Sequence, residues 1–171
     1  MQLKILGSSS AGNCYLLEND YESIIIDCGF EYSKIQKFID FNISKVVGVL
    51  LTHADGDHSK ATKQMLLNGF QVYSSIDCFE SLQVTNDLNA KVIQPQQPFK
   101  IGNFKILPFD VQHDVPTLGF YIHHQDCGNV LFATDTFFLK YTFPNLNNII
   151  IEANYCEDIL EQRENQGNAN T

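Results

Sequence analysis

Residues 46–58, with the sequence VVGVLLTHADGDH, constrain the fold of this chain more than any other stretch. The apolar run from Val46 to Leu51 is typical of a strand that is buried on both faces. Ligands bind outside the carboxyl ends of strands in open α/β sheets, and imidazole together with carboxylate suits zinc, manganese and iron. The stretch therefore predicts a metal site at a strand end, with four candidate ligands: His53, Asp55, Asp57 and His58.

The same loop also has a purely structural interpretation. Asp57 or Ser59 would cap a helix running from Lys60 to Asn68, because acidic and hydroxyl side chains are favoured at helix N-termini. Capping does not account for the first histidine and the first aspartate of the loop, so metal binding is favoured and capping is kept as an additional role. Gly56 is expected to give the loop its freedom, since it lacks a Cβ atom.

The charge of the chain limits the substrates that it is expected to bind. The net charge is −9, and Arg163 is the only arginine among 11 basic residues. A surface with this charge and one arginine is not suited to binding nucleic acid through bidentate arginine–phosphate contacts. If the substrate is a phosphodiester, bound cations must supply most of the positive charge. A short or single-stranded substrate or a cyclic nucleotide is therefore favoured over long duplex DNA.

Length and composition predict a single cytoplasmic domain. The 171 residues suffice for one substantial core and are too few for two full domains. No apolar run approaches the roughly 18 residues of a membrane span, and the opening MQLKILGSSS is expected to be a strand and not a signal peptide. The five cysteines are an odd number without a Cys-x-x-Cys pair, so they are expected to be reduced and mostly buried.

Hydrophobic periodicity and turn residues predict the order of the elements. Strands are expected at 2–6, 14–18, 21–29, 46–51, 70–75, at both sides of the 102–103 turn, at both sides of the 126–129 turn, and at 149–155. Helices are expected at 31–41, 60–67, 76–82 and from Cys156 to Arg163. Residues 7–13, GSSSAGN, are expected to form a small-residue loop. His123 and His124 lie beside the second turn and are expected on the surface.

Three further polar residues follow predicted strands. Asp27 comes directly after three isoleucines, and a carboxylate there needs partners. We expect it to accept hydrogen bonds from the ligand loop. Asp135 follows the apolar run 130–133, where a carboxylate is costly unless it is paired with positive charge. His113 also ends a strand, and alone it would more often be structural than catalytic.

Four separated motifs together resemble the metallo-β-lactamase superfamily: GSSSAGN, IIIDCG, HADGDH and ATDT. The signature of that family is His-x-His-x-Asp-His after a strand, and Asp55 stands here where the family has its second histidine. The first and second motifs are similar to a branch of small cytoplasmic hydrolases described as phosphodiesterase-like or nuclease-like. The resemblance implies an α/β (α+β) fold, a four-layer αββα sandwich in one domain over residues 1–171, with β-rich halves at 1–90 and 91–171.

The resemblance also implies a set of site residues. One or two divalent ions are expected, with Zn²⁺ favoured over Mn²⁺ and Fe²⁺. His53, Asp55 and His113 would hold one ion, Asp57 and His58 the other, and Asp135 would bridge them. Asp57 is also the expected catalytic residue, which orients a metal-bound water. Residues expected behind the ligands or in contact with substrate are Asp27, Ser8, Ser9, Ser10, Asn13, Asp114, Glu152 and Asn154.

The largest departure from the family lies near the end of the chain. The family has a last histidine there that completes the second metal site, whereas no histidine follows His124 in this sequence. The chain is shortened, or the sequence continues, or a partner subunit of a homo-oligomer completes the site; in each case the second ion should bind more weakly. Hydrolysis of a phosphodiester is the favoured function. The alternatives are hydrolysis of a lactone or thioester, and a degenerate member that binds a metal or nucleotide without turnover.

Overall fold

The computed structural model describes residues 1–152, which form two β-sheets and four short helices. The first sheet contains six strands in chain order: β1 Gln2–Ser9, β2 Gly12–Glu18, β3 Ser23–Ile26, β4 Val46–Leu50, β5 Val72–Ser74 and β6 Ala90–Val92. The second sheet contains β7 Phe99–Ile101, β8 Phe104–Val111, β9 Thr117–His124, β10 Gly128–Ala133 and β11 Leu146–Ile151, in the order β11-β10-β9-β8-β7. The helices are α1 Tyr32–Phe38, α2 Gly56–Ser59, α3 Thr62–Leu67 and α4 Ile76–Leu82.

Strand directions decide where the loops meet. Strands β3 to β6 are parallel to one another, and so are β10 and β11, while the remaining neighbours are antiparallel. The chain crosses between parallel strands through α1, through α2 and α3, and through α4. The carboxyl ends of β3 and β4 therefore lie side by side at one edge of the first sheet.

The alternation of side chains along each strand builds two apolar layers on the first sheet. One face packs against the second sheet through residues such as Leu17, Ile24, Leu50, Phe120 and Phe132. The opposite face packs against the helices through residues such as Leu16, Ile25, Val49, Ile35, Met65 and Phe79. The predicted α/β class with two β-rich halves is confirmed by this arrangement and by the fold comparisons below.

The outer face of the second sheet is covered differently from that of the first. Phe109 and Leu131 pack there against Leu139, Tyr141 and Phe143, which lie in the segment between β10 and β11. Within residues 1–152, all four helices follow strands of the first sheet, and the helix expected from Cys156 lies outside the described residues. None of the helices in the described part is long and apolar enough to cross a membrane.

Residues 7–13 correct the sequence-based prediction of a loop. Strand β1 continues to Ser9, and strand β2 begins at Gly12, so only a two-residue turn separates the two strands. Ser8 pairs with Asn13 in this hairpin. The pairing register shifts at a bulge between Ile5 and Gly7. Beyond the bulge, the small residues 7–9 are still paired with β2.

His124 corrects a second prediction, because it is buried and not on the surface. Its Nε2 atom lies 3.2 Å from Oε1 of Glu22, and its ring packs against Phe104. His123, on the opposite face of the same strand, is only partly buried, with its ring nitrogen 2.8 Å from the Asn129 side chain. The side chain of His124 therefore lies between the two sheets, where a polar partner from a distant strand compensates its burial.

The predicted capping of the ligand-loop helix is also wrong. Asp55 occupies the N-terminal boundary of α2 without a side-chain capping bond, and Ala61 occupies that of α3. Ser59 instead donates through Oγ to the carbonyl oxygen of Ala54, at 2.7 Å. Gly56 does not adopt a positive φ, and a Cβ atom on it would meet nothing within 4 Å, so the expected need for glycine at that position is not seen.

Candidate metal centre

Four strand ends from both sheets bring the candidate ligands to one edge of the sandwich. Asp27 follows β3, His53 follows β4, His113 follows β8 and Asp135 follows β10. The backbone N–H of Leu118 donates to the carbonyl oxygen of Thr52 at 3.0 Å, which ties the two sheets together at this edge. Residues that are far apart in sequence therefore meet because strand ends of the two sheets meet.

The first candidate ligand group contains His53, Asp55 and His113, whose ligand atoms all lie within 4.8 Å of one another. Oδ2 of Asp55 is 3.5 Å from Nε2 of His53 and 3.9 Å from Nε2 of His113. His53 is buried, whereas Asp55 is about half exposed. Two imidazoles and one carboxylate that leave a side open to solvent can hold a divalent ion with a free position for water or substrate.

The second candidate group contains His53, His58 and Asp135. Nε2 of His58 lies 2.8 Å from Oδ2 of Asp135 and 3.7 Å from Oδ2 of Asp57. The rings of His53 and His58 are 4.2 Å apart between centroids. Because His53 appears in both groups and has one ring nitrogen free, it can serve only one ion at a time. A second ion would depend on His58, Asp135 and Asp57.

The buried carboxylate of Asp27 sets the orientation of both buried histidines. Its Oδ2 atom lies 2.8 Å from Nδ1 of His58, and its Oδ1 atom accepts from the backbone N–H and the hydroxyl of Thr52, both at 2.9 Å. The Thr52 oxygen in turn lies 2.9 Å from Nδ1 of His53. These contacts hold a proton on Nδ1 of each ring, so Nε2 of each ring would be the atom that binds a cation once it has lost its own proton.

The side chains present fit a divalent cation. Oδ2 of Asp135 is buried and, within residues 1–152, takes part in no hydrogen bond of good geometry, although His58 is close. A buried carboxylate oxygen of this kind is costly unless a positive charge lies beside it. A cation between Asp135 and the two histidine Nε2 atoms would meet that need, with ligands of the chemistry that zinc and manganese accept.

The charges of the protein groups lead to the same conclusion. Burial alone would lower the pKa of His58, but its contacts with the carboxylates of Asp135 and Asp27 outweigh burial and raise it to about 10. The contact with His58 lowers the pKa of Asp135. Burial, followed by the neighbouring charge of His58, lowers the pKa of His53. The centre is therefore built to hold positive charge between carboxylates.

The β1–β2 hairpin reaches the centre through Asn13. The Asn13 side-chain amide lies 2.9 Å from Nε2 of His58 and donates to Oδ2 of Asp57 at 3.4 Å and to the carbonyl oxygen of Ser9 at 3.2 Å. The Ser8 hydroxyl accepts a hydrogen bond from the hydroxyl of Tyr15 at 2.8 Å. Ser9 and Ser10 are exposed at the hairpin tip. The hairpin thus contributes one side wall of the centre.

The remaining predicted residues lie at the rim or beyond the described part. Asp114 is exposed next to His113. Glu152 follows β11, and its backbone N–H donates to the carbonyl oxygen of Ala133 at 3.3 Å, which places it beside the strand that leads to Asp135. Asn154 lies outside the described residues. The roles of these three residues stay predictions.

Two residues near the centre were not singled out from the sequence. Thr52 links Asp27 to His53, and the signal for it is a hydroxyl at the end of an apolar run, directly before the first histidine. Gly29 packs so closely that a Cβ atom there would lie 1.6 Å from the carbonyl oxygen of Asp57 and 2.8 Å from the backbone nitrogen of Asn13. This glycine ends the IIIDCG motif, but the motif alone does not show the close contact, which comes from a distant loop.

Comparison with known proteins shows what the fold and the first part of the centre are similar to. The family model described as the metallo-beta-lactamase superfamily matches residues 9–66, which include the β1–β2 hairpin and the ligand loop. Among solved structures, the metallo-beta-lactamase fold protein YhfI from Bacillus subtilis matches with a TM-score of 0.60 and 21% identity, over 78% of this chain and 61% of that one.

Two curated relatives are also similar over most of the chain. Exodeoxyribonuclease WalJ of Streptococcus pneumoniae serotype 2 (strain D39 / NCTC 7466) is 25% identical over 170 residues, which is 91% of this chain and 63% of the relative. Exodeoxyribonuclease YycJ of Bacillus anthracis is 24% identical over 172 residues, which is 94% of this chain and 65% of the relative. The chain thus spans a little under two thirds of the length of the curated relatives it matches.

Two facing sheets with histidine and aspartate side chains gathered at their strand ends define an α/β protein with a candidate centre for divalent metal ions. Residues 9–66 match the model of the metallo-beta-lactamase superfamily, and the fold is similar to that of solved metallo-beta-lactamase-fold structures.

Proposed function

We propose that this chain is a metal-dependent hydrolase that cleaves phosphodiester bonds in DNA, preferentially in single strands or at strand ends. The observation that carries the proposal is the pair of ligand groups, His53–Asp55–His113 and His53–His58–Asp135, at one edge of the sandwich. The similarity to two exodeoxyribonucleases supports DNA as the substrate class. When bound, divalent cations there would supply a Lewis acid for the phosphoryl oxygens and lower the pKa of a water nucleophile.

The surrounding residues would position the reacting groups. Asp57 lies on the first turn of α2, is about one third exposed, and has its Oδ2 atom 3.7 Å from Nε2 of His58. Its contact with Asn13 holds this carboxylate toward the centre. Asp57 would accept the hydrogen bond, and then the proton, of the attacking water. Asp27 and Thr52 keep both histidines in the tautomer that such chemistry needs.

The donor set supports Zn²⁺ or Mn²⁺. Asp55 in place of a histidine makes the first group richer in oxygen, which shifts the preference from zinc toward manganese. The two groups share His53, so we propose one firmly held ion and a second, weaker one bound by His58, Asp57 and Asp135.

The test is degradation of a single-stranded oligonucleotide by the metal-loaded protein, with Zn²⁺ and Mn²⁺ added separately and products resolved by length. The proposal predicts metal-dependent shortening that is lost in Asp57→Asn, while Asp77→Asn, an exposed aspartate on α4, keeps the wild-type rate. Hydrolysis of a lactone or thioester without DNA cleavage would favour the second hydrolase class. Metal binding without turnover of any of these substrates would favour a binding protein.

A further inference from the structure

An exposed aromatic pair lies immediately after Asp135. Of the four exposed aromatic side chains in residues 1–152, two are neighbours in sequence beside the metal centre: Phe137 is 70% exposed and Phe138 is 57% exposed. Large apolar side chains side by side in water carry a cost that marks a binding surface when they border a site.

The backbone holds this pair in place. Asp135 has φ of +48°, so the chain turns sharply after the candidate ligand. The backbone N–H of Phe137 donates to the carbonyl oxygen of Gln112 at 2.9 Å, and the Thr136 hydroxyl donates to the carbonyl oxygen of Phe138 at 2.9 Å. Hydrogen bonds therefore hold the turn that carries both rings, which reduces the conformational entropy lost on binding.

The position of Phe137 relates it directly to the reaction centre. Its ring centroid lies 6.2 Å from that of His113, a member of the first ligand group. A flat group stacked on Phe137 would therefore lie next to whatever is bound at the centre. The neighbouring Phe138 lines a groove of about 220 Å³ together with Asp110, Val111, Gln112 and Lys140.

The chemistry of the surface favours one occupant. We propose that Phe137 stacks on a nucleobase next to the phosphodiester at the metal centre, with the Phe138 groove and Lys140 accepting the neighbouring nucleotide. An aromatic ring binds any base through its π-face, and Lys140 supplies a positive charge for a phosphate in a chain whose net charge is −9. Bases inside a duplex present no free face, so this platform selects unpaired nucleotides. The inference rests on the proposed function and narrows its substrate to unpaired DNA.

The experiment measures binding of an uncleavable phosphorothioate single strand by fluorescence anisotropy, with the label at the far end and at fixed salt. Phe137→Ala should weaken binding by about 5- to 100-fold, and Phe137→Trp should restore it. The matched control is Phe41→Ala, which removes an equally exposed ring after α1, at the opposite end of the strands. A strand of the same length made of abasic nucleotides should bind equally to wild type and to Phe137→Ala.

Each outcome decides one of the two proposals. Equal loss in Phe137→Ala and Phe41→Ala, or equal loss on normal and abasic strands, would overturn the stacking inference. So would a wild-type dimer that Phe137→Ala converts to a monomer in sedimentation, since a second copy would then cover the surface. Base-dependent binding without metal-dependent cleavage would support the stacking inference and contradict the hydrolase proposal. Metal-dependent cleavage that is unaffected by Phe137→Ala would support the hydrolase proposal and contradict the stacking inference.

Discussion

Oδ2 of Asp27 lies 2.8 Å from Nδ1 of His58, and both side chains are almost completely buried. The same carboxylate reaches His53 through Thr52, so one aspartate orients two histidines of the candidate centre. Asp27 is held in this position by the turn after β3, where its φ is +59°. The orientation of the ligands therefore depends on a residue that would itself touch no metal.

Replacing Asp27 tests this dependence. Asp27→Asn should weaken metal binding about 10- to 100-fold, because the amide cannot accept hydrogen bonds from both Thr52 and His58. Asparagine tolerates a positive φ, so the turn should be preserved. Metal affinity would be measured by competition with a chromogenic chelator, with Asp20→Asn, an exposed position, as the control. Equal affinity in wild type and Asp27→Asn would contradict this role.

Thr52 gives a test based on a single hydroxyl. Thr52→Val keeps the shape of the side chain but removes one of the hydrogen bonds to Asp27 and leaves the buried Nδ1 of His53 without its partner. We expect the free energy of unfolding of the metal-free protein to fall by about 1–3 kcal/mol. Thr52→Ser, which retains the hydroxyl, should recover most of that loss. Chemical denaturation of the three proteins measures it, and similar losses in both variants would show that packing and not the hydrogen bond is responsible.

Gly29 and Gly56 form a matched pair of glycines at the centre. A Cβ atom on Gly29 would collide with the backbone of Asp57, so Gly29→Ala should lower the free energy of unfolding by about 1–3 kcal/mol and reduce metal affinity. Gly56→Ala meets no neighbour and should change stability by no more than about 0.5 kcal/mol. Thermal unfolding and metal titration of both variants distinguish the two positions. A larger loss of stability or metal affinity in Gly56→Ala than in Gly29→Ala would mean that the ligand loop changes conformation when metal binds.

The contacts of Glu22, which lies outside the candidate metal centre, predict that the stability of the fold depends on pH. Burial works to raise the pKa of Glu22, but hydrogen bonds from the backbone and side chain of Asn103, together with His124, outweigh it and lower the pKa. A lowered pKa in the folded state stabilises the fold above the unfolded value of about 4.3, and that contribution is lost as the pH falls through the folded value.

The measurement is the free energy of unfolding of wild type and Glu22→Gln between pH 6 and pH 3. The difference between the two proteins should shrink as the pH falls below about 4.3. In Asn103→Ala, which removes one donor to Glu22, the pH-dependent part should be smaller. A difference that stays constant over this range would show that the Glu22 carboxylate is not stabilised by these contacts.

Local patterns in the sequence predicted most of the strands and helices, although they missed β6, and the resemblance to a known family added the ligand set that now lies at the centre. The apolar run before His53 and the run before Asp135 each mark a strand, and each polar residue falls where its strand ends. The two glycine-containing turns of the second sheet were also predicted correctly. These features depend on residues that are close together in the chain.

Features that depend on distant contacts could not be predicted in this way. His124 is buried because Glu22, 102 residues away in the chain, comes to meet it between the sheets. Gly29 is needed because Asp57 packs on it, and Thr52 matters because Asp27 lies beside it. In each case the partner is brought by the folding of another strand, and no spacing within either segment reveals it.

The most direct test of the account is the metal content of the purified protein, measured by elemental analysis after equilibration with Zn²⁺ or Mn²⁺. Because His53 belongs to both ligand groups but can serve only one ion at a time, we expect between one and two equivalents per chain in wild type and about one fewer in His53→Ala. His123→Ala, a histidine outside both groups, should keep the wild-type content. A wild-type protein without metal, or equal content in wild type and His53→Ala, would contradict the account.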